Sequence, residues 1–207
     1  MAATRLITLT FVLPFHYRKL QLAYISQSKQ TWRAMSSLPS GKVRHIGVSN
    51  FAHTQLYRLM VSTGVKPAVH QMELHPYLQQ RDWVALHEAY GINVTAYSPL
   101  ANSNPTYGSP SDAPPPLLEN KVMQKIADKR RCTVAQVALK WGMHRGTSVI
   151  PKSGHAERIV ENYKASSCEL LAEDLDIIEE MGRKNLKRFN NPSEGWGVDL
   201  FKGLEGV

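Results

Sequence analysis

The sequence predicts an α/β fold of parallel βα units, and three observations carry that prediction. Short β-branched runs alternate with helical patterns from about residue 30 onward. Three successive runs repeat at a spacing of about two dozen residues, and the helical stretches between them close on glycine. This rhythm fits barrel and doubly wound arrangements and little else.

Taken in order, the first strand is VRHIGVS, 43–49. HTQLYRLMVS follows, with Leu56, Leu59 and Met60 at helical spacing on one face and Gly64 as its stop. AVHQMEL, 68–74, is the second strand, and QRDWVALHEAYG is the next helix, with Trp83, Leu86 and Tyr90 on one face and Gly91 closing it. INVTAYS, 92–98, is the third strand. The pattern then breaks at PLANSNPTYGSPSDAPPPLL, too rigid and too polar for a regular element. A loop of that length in a compact domain is functional or disordered. ENKVMQKIADKR resumes the helical pattern, and Thr133 opens a further helix, forming a capping box with Gln136 ahead of the stripe Val134, Val137, Ala138 and Trp141. SVIP, 148–151, is the fourth strand; it feeds helices near HAERIVENY and AEDLDIIEEMGR, and an irregular tail ends the chain.

The 207 residues, 43% of them hydrophobic, are enough for one sizeable core, as one domain or a small pair. The longest uncharged apolar run, LITLTFVLPF at 6–15, is shorter than the roughly 20 residues that span a bilayer. The expectation is a soluble, cytoplasmic chain with no membrane partner. Cys132 and Cys168 follow no CxxC or zinc spacing, so two reduced thiols and no metal are expected.

A net charge of +8 raises the question of nucleic acid, and its distribution answers it. Residues 1–72 hold nine Lys or Arg and no acid, while residues 73–207 hold 16 basic and 17 acidic side chains. The basic residues are scattered and form no run, so no nucleic-acid partner is expected. The acid-free start has features of a transit peptide or a secretory signal, but Pro14 interrupts the apolar run and no clear small-residue cleavage site follows. A foreign or mispredicted N-terminal segment ranks above both.

Each predicted strand ends in polar residues: Ser49 and Asn50; Gln71 with Glu73 and His75; Tyr97 and Ser98; Lys152 and Ser153. In parallel βα barrels the working groups sit at those ends. Singly, Asn50 reads as a turn residue, Gln71 as a satisfied core amide, Tyr97 as packing and Ser153 as a helix cap. Four in register favour a site instead. The chemistry they share is dinucleotide binding. Amides such as Asn50 and Gln71 donate and accept, as a carboxamide does. A Tyr97 ring offers a face for stacking a heterocycle. Lys152 and Arg158 flank a helix start that favours an anion. One turn further, Glu161 and Asn162 match an adenine edge. The rival for Lys152 and Arg158 is a solvated basic face.

RHIGVSNF (44–51), HQMELHPYLQQ (70–80), TAYSPL (95–100) and IPKSGHAERIVEN (150–162) resemble the ordered motifs of the aldo-keto reductase family. The resemblance covers roughly residues 31–207. It implies a (β/α)8 TIM barrel that binds NADPH at the carboxyl ends of its strands without a Rossmann motif, in accord with the missing GxGxxG. It implies that Ser49, Asn50 and Gln71 hold the nicotinamide carboxamide, that Tyr97 stacks on the ring, and that Ser98 and Leu100 line the pyrophosphate path. Ile150 belongs to the same set. Lys152, Ser153 and Arg158 would grip the 2′-phosphate, which favours NADP over NAD, and Glu161 and Asn162 would face the adenine. His155 stands where many members have Thr. SGHAERI and EGWGVDLFKG most resemble fungal glycerol or sugar-aldehyde reductases. The implied activity is hydride transfer between NADPH and an aldehyde or ketone, with a small carbonyl or polyol as substrate.

By that resemblance a Tyr, a Lys, an Asp and a His from the first four βα units supply the proton and orient the substrate. This chain reads as beginning inside the fourth helix, at KQTWRAM, and no acid precedes Glu73. The expectation is therefore a partial barrel: residues 1–30 outside the family and disordered or mispredicted, and residues 31–207 the C-terminal half. No catalytic residue is assigned, and the expected activity is impaired or absent. His75 and Tyr77 read as framework. Open strand edges leave patching by 6–13, self-association or instability as outcomes, instability ranking first. The rival functions are a non-catalytic dinucleotide-binding or regulatory protein and a functionless fragment.

Overall fold

The computed structural model describes residues 20–101 and 114–191, with side chains described from residue 28. The apolar run at 6–15, residues 102–113 of the Pro-, Ser- and Asn-rich stretch and the tail beyond 191 lie outside the described residues. The described chain forms two compact units, one from residues 20–71, 83–93 and 191, the other from 72–82, 94–101 and 114–190.

The first unit contains α1 (Leu20–Ser36), β1 (Gly47–Ser49), α2 (His53–Thr63), the start of β2 (Val69–Glu73) and most of α3 (Arg81–Tyr90). β1 and β2 run parallel, with Gly47 opposite Val69, Val48 opposite His70 and Ser49 opposite Gln71. β1 is shorter than the run 43–49: Ile46 O still accepts from Ala68 N–H at 2.9 Å, but the start of the run is drawn into a turn. The N–H groups of Lys42 and Val43 both donate to Pro39 O, at 2.8 and 3.0 Å, in a turn. Gly47 is required where pairing starts, since a Cβ there would meet Val69 O at 2.5 Å. α2 buries Leu56 and Leu59 and ends at Gly64, whose φ of 71° suits glycine and whose N–H donates to Met60 O. α1 packs on α2, and the buried Trp32 donates from its indole to Val65 O at 3.1 Å.

α3 departs from its expected face. It buries Trp83 and His87, and leaves Leu86 and Tyr90 half-buried. A buried imidazole is tolerated there because both its nitrogens are bonded, to the Trp83 carbonyl and to His70.

The second unit contains the end of β2, β3 (Asn93–Tyr97) from Val94 on, α4 (Lys121–Arg130), α5 (Val134–His144), β4 (Ser148–Val149), α6 (Ala156–Tyr163) and α7 (Ala172–Lys184). Short 3-10 turns cover Leu117–Glu119, across the end of the stretch expected to be irregular, and Lys164–Ser167. β3 and β4 are parallel, pairing Thr95 with Ser148 and Ala96 with Val149. The strands follow chain order, β1-β2-β3-β4. The predicted capping box of α5 is formed: Thr133 Oγ accepts from the Gln136 N–H at 3.2 Å, and Gln136 Oε1 from the Thr133 N–H at 3.1 Å. Its stripe buries Val137, Ala138 and Trp141. Asn120 caps α4 by accepting from the N–H groups of Val122 and Met123. α7 packs against α4, and Arg130 Nε donates to the buried Asp174 at 2.6 Å.

The expectation of two reduced thiols is corrected. Cys132, at the α4–α5 junction, is bonded to Cys168, just past the second 3-10 turn. Their separation of 36 residues carries no motif, and only folding α5 back onto the 164–167 turn makes them neighbours.

Candidate functional site

In the first unit, Ser49 ends β1 opposite Gln71. Asn50 extends the ladder one step, its N–H donating to Gln71 O at 3.0 Å. Its backbone is left-handed, φ 55°, a region asparagine enters more readily than most residues. The next two amides are also held: Phe51 N–H by His70 Nε2 at 3.0 Å and Ala52 N–H by Gln55 Oε1 at 2.7 Å. The turn from β1 into α2 is thus tied at three consecutive residues. Ser49, Asn50 and Gln71 are brought together and remain half-buried.

In the second unit, Tyr97 ends β3 and Ser98 follows with φ 48°. Ser98 O accepts from Ala101 N–H at 2.9 Å, closing a turn that includes the half-buried Leu100. Asn190 Nδ2 donates to Ser98 Oγ at 3.1 Å. Ile150 carries the ladder past β4 by donating to Ala96 O at 3.2 Å, while its side chain stays exposed. Lys152 and Arg158 are exposed, and neither makes an ion pair among the described residues. Ser153 Oγ accepts from His155 N–H at 3.1 Å in a turn just before α6, and the helix has His155 and not Ser153 at its N-cap, without a side-chain cap bond. Glu161 lies on α6 with its carboxylate bonded by the Thr133 hydroxyl and its carbonyl by Gln136 Nε2. Asn162 is half-buried beside it.

Glu73 does not join the solvent-facing groups, for it is fully buried. Its Oε1 accepts from His75 Nε2 at 2.9 Å and from Phe189 N–H at 2.8 Å, and its Oε2 from Asn190 N–H at 3.0 Å. Burial acts to raise its pKa, but the His75 hydrogen bond and charge, with the Phe189 amide and Arg188, hold it below the usual carboxylate range. It anchors residues 188–190, and that segment brings Asn190 to Ser98. His75 and Tyr77 are buried too; Tyr77 donates to Pro115 O at 3.0 Å and accepts from Asn120 Nδ2 at 2.8 Å.

Sequence alone missed two site neighbours, Asn190 and His70, and did not show what Glu73 binds. Asn190 and Glu73 meet across more than a hundred residues, which no local spacing reveals. His70 was open to detection: alternation puts it on the opposite face of β2 from Gln71, toward α3.

Parallel strands alternating with helices define an α/β protein. The sequence profile of the Aldo/keto reductase family matches residues 12–183, and the chain belongs to that family. It is 46% identical over 180 residues to an uncharacterized oxidoreductase of Schizosaccharomyces pombe, covering 86% of this chain and 54% of that protein. To the NAD(P)H-dependent D-xylose reductase of Hypocrea jecorina it is 42% identical over 171 residues, covering 80% and 51%. Among solved structures, aldose reductase from Giardia lamblia superposes with a TM-score of 0.71 at 36% identity, covering 83% of this chain and 55% of that one. The chain spans about half the length of the curated relatives it matches. Among the described residues, no helix is long and apolar enough to cross a membrane.

Proposed function

We propose that this chain carries the cofactor-binding part of an NADP(H)-dependent aldo-keto reductase, whose reaction is reduction of a small aldehyde or ketone, or oxidation of the matching polyol. Its four strands are the later half of a (β/α)8 barrel, and the family match reaches back to residue 12, into the segment expected to lie outside it. One observation carries the reading. Asn50 and Ser98, two of the five non-glycine residues with positive φ among the described residues, stand immediately after β1 and β3. Left-handed backbone at such residues costs about 1 kcal/mol or more and persists where a site demands it.

In this reading Ser49, Asn50 and Gln71 are assigned to the nicotinamide carboxamide. Tyr97 is assigned as the stacking face, Ser98, Leu100 and Ile150 to the pyrophosphate, Lys152, Ser153 and Arg158 to the 2′-phosphate, and Glu161 and Asn162 to the adenine. The exposure of Lys152 and Arg158, with no ion-pair partner among the described residues, supports the phosphate assignment. When bound, NADPH supplies the hydride; the residues named here hold and orient it, and none of them is assigned as proton donor.

The test is titration of the full chain with NADPH and NADH, followed by nucleotide fluorescence. A charge-assisted phosphate grip predicts NADPH binding tighter by about tenfold or more. Lys152→Ala combined with Arg158→Ala removes that margin. Equal affinity for the two nucleotides in the parent chain rejects the phosphate assignment. Oxidation of NADPH with small aldehydes stays at the buffer rate, and measurable turnover would show that the chain supplies its own proton donor.

A further inference from the structure

The first unit contains a buried polar device that none of the groups named above accounts for. His70 of β2 and His87 of α3 are both fully buried, and their rings meet, His70 Nδ1 to His87 Nε2 at 2.6 Å. The bonds at the two ends settle the protons. Phe51 N–H can only donate, so His70 Nε2 is an acceptor and carries no hydrogen. His70 Nδ1 therefore bears the hydrogen and donates to His87 Nε2. His87 Nδ1 then donates to the Trp83 carbonyl at 2.6 Å. Every nitrogen is satisfied with both rings neutral and each in the Nδ1–H form. A proton added to His70 Nε2 would face the Phe51 N–H, and one added to His87 Nε2 would face His70 Nδ1–H.

The chain of bonds ends at the Trp83 carbonyl within α3 and at the Phe51 amide outside it, and Phe51 follows the left-handed Asn50. Asn50 holds its conformation with its own N–H on Gln71 O, the residue next to His70. We propose that His70 and His87 are positioning residues: a neutral two-histidine relay that clamps the β1–α2 turn and so holds Ser49 and Asn50 in the conformation that receives a carboxamide. The functional half of this statement rests on the cofactor reading above; the clamp itself does not. Burial, and then the like charge of His87, push His70 down to about 3, so the relay stays uncharged through the physiological range. The other titratable group at the cluster is His53 of α2, whose ring meets Trp83 edge-on at 5.7 Å and whose charge opposes one on His87.

The test uses the whole chain, with ring nitrogen NMR and amide exchange. At pH 7 both His70 and His87 are expected as Nδ1–H tautomers; an Nε2–H tautomer at His70 overturns the relay. His87→Gln keeps an acceptor for His70 and is expected to leave the exchange protection of the Phe51 amide within about threefold of the parent. His87→Leu removes the acceptor, and the loss of one hydrogen bond predicts about tenfold less protection at Phe51, with the Leu56 amide of α2 unchanged. Equal protection in the two variants overturns the clamp. If the Leu variant does not fold, the tautomers and the Gln variant still decide it. NADPH affinity is expected to follow the Phe51 amide, falling about tenfold in His87→Leu and recovering in His87→Gln. Protection that falls while affinity holds removes the functional half and keeps the clamp. No NADPH binding in the parent chain instead rejects the cofactor reading, and Phe51 protection alone then decides the clamp.

Discussion

At the scale of single residues, the buried histidines make stability depend on pH in a direction that can be worked out. His70 lies well below its ordinary 6.5 in the folded chain, at about 3, and His87 is lowered as well, by burial first and by the charge of His53. The unfolded chain takes up a proton near 6.5 that the folded chain refuses. Stability therefore falls as pH drops below about 6.5, by about 1.4 kcal/mol per pH unit for each refusing histidine, and for His70 the loss levels off near 3. Between pH 6.5 and 5 carboxylates are ionised in both states, so this window isolates the histidines. Urea unfolding of the parent and of His87→Gln across it should show the variant with the shallower slope. Identical slopes would mean that His87 takes up its proton in the fold as readily as outside it.

At the scale of elements, Gly182 illustrates how tightly α7 is seated. A Cβ there would come within 2.1 Å of both Gln79 Nε2 and Pro76 O, and Gln79 is itself held by the Pro76 and Ile178 carbonyls at 3.1 and 3.2 Å. Neither neighbour can yield without breaking those bonds. Gly182→Ala is expected to cost about 1–3 kcal/mol despite its better helix propensity, measured by chemical denaturation. A neutral or stabilising result would mean that α7 shifts freely.

The elements were legible in the sequence to the extent that their signals are local. The β-branched runs placed β2 and β3, and the Thr133–Gln136 pair marked the start of α5. What escaped depends on contacts distant in sequence. Residues 43–46 have strand composition, but the Val43 amide is held by Pro39 O, and Ile46 contributes a bond to Ala68 without extending β1. His87 is not among the residues that mark the expected face of α3, and its burial depends on its bonds to His70 and to the Trp83 carbonyl. The same holds for the candidate site: strand-end residues were visible by position, whereas Asn190 reaches Ser98 from 92 residues away, held there by Glu73.

At the scale of the whole chain, β1 and β4 are the outer strands of the described sheet, and the matched stretch covers 54% of a family relative. The basic excess belongs to residues 1–72, leaving the rest near neutral, so a salt-sensitive association would map to that early part. The Cys132–Cys168 bond has a different reach. It encloses α5, β4 and α6, and with them Lys152 and Arg158. A single proteolytic cut after the exposed Lys152 would therefore yield two polypeptides that migrate as one band until a reductant is added. Two bands without reductant would mean free thiols. With the bond present, a nicked chain keeps its pieces as one covalent body, and backbone cleavage there does not become dissociation.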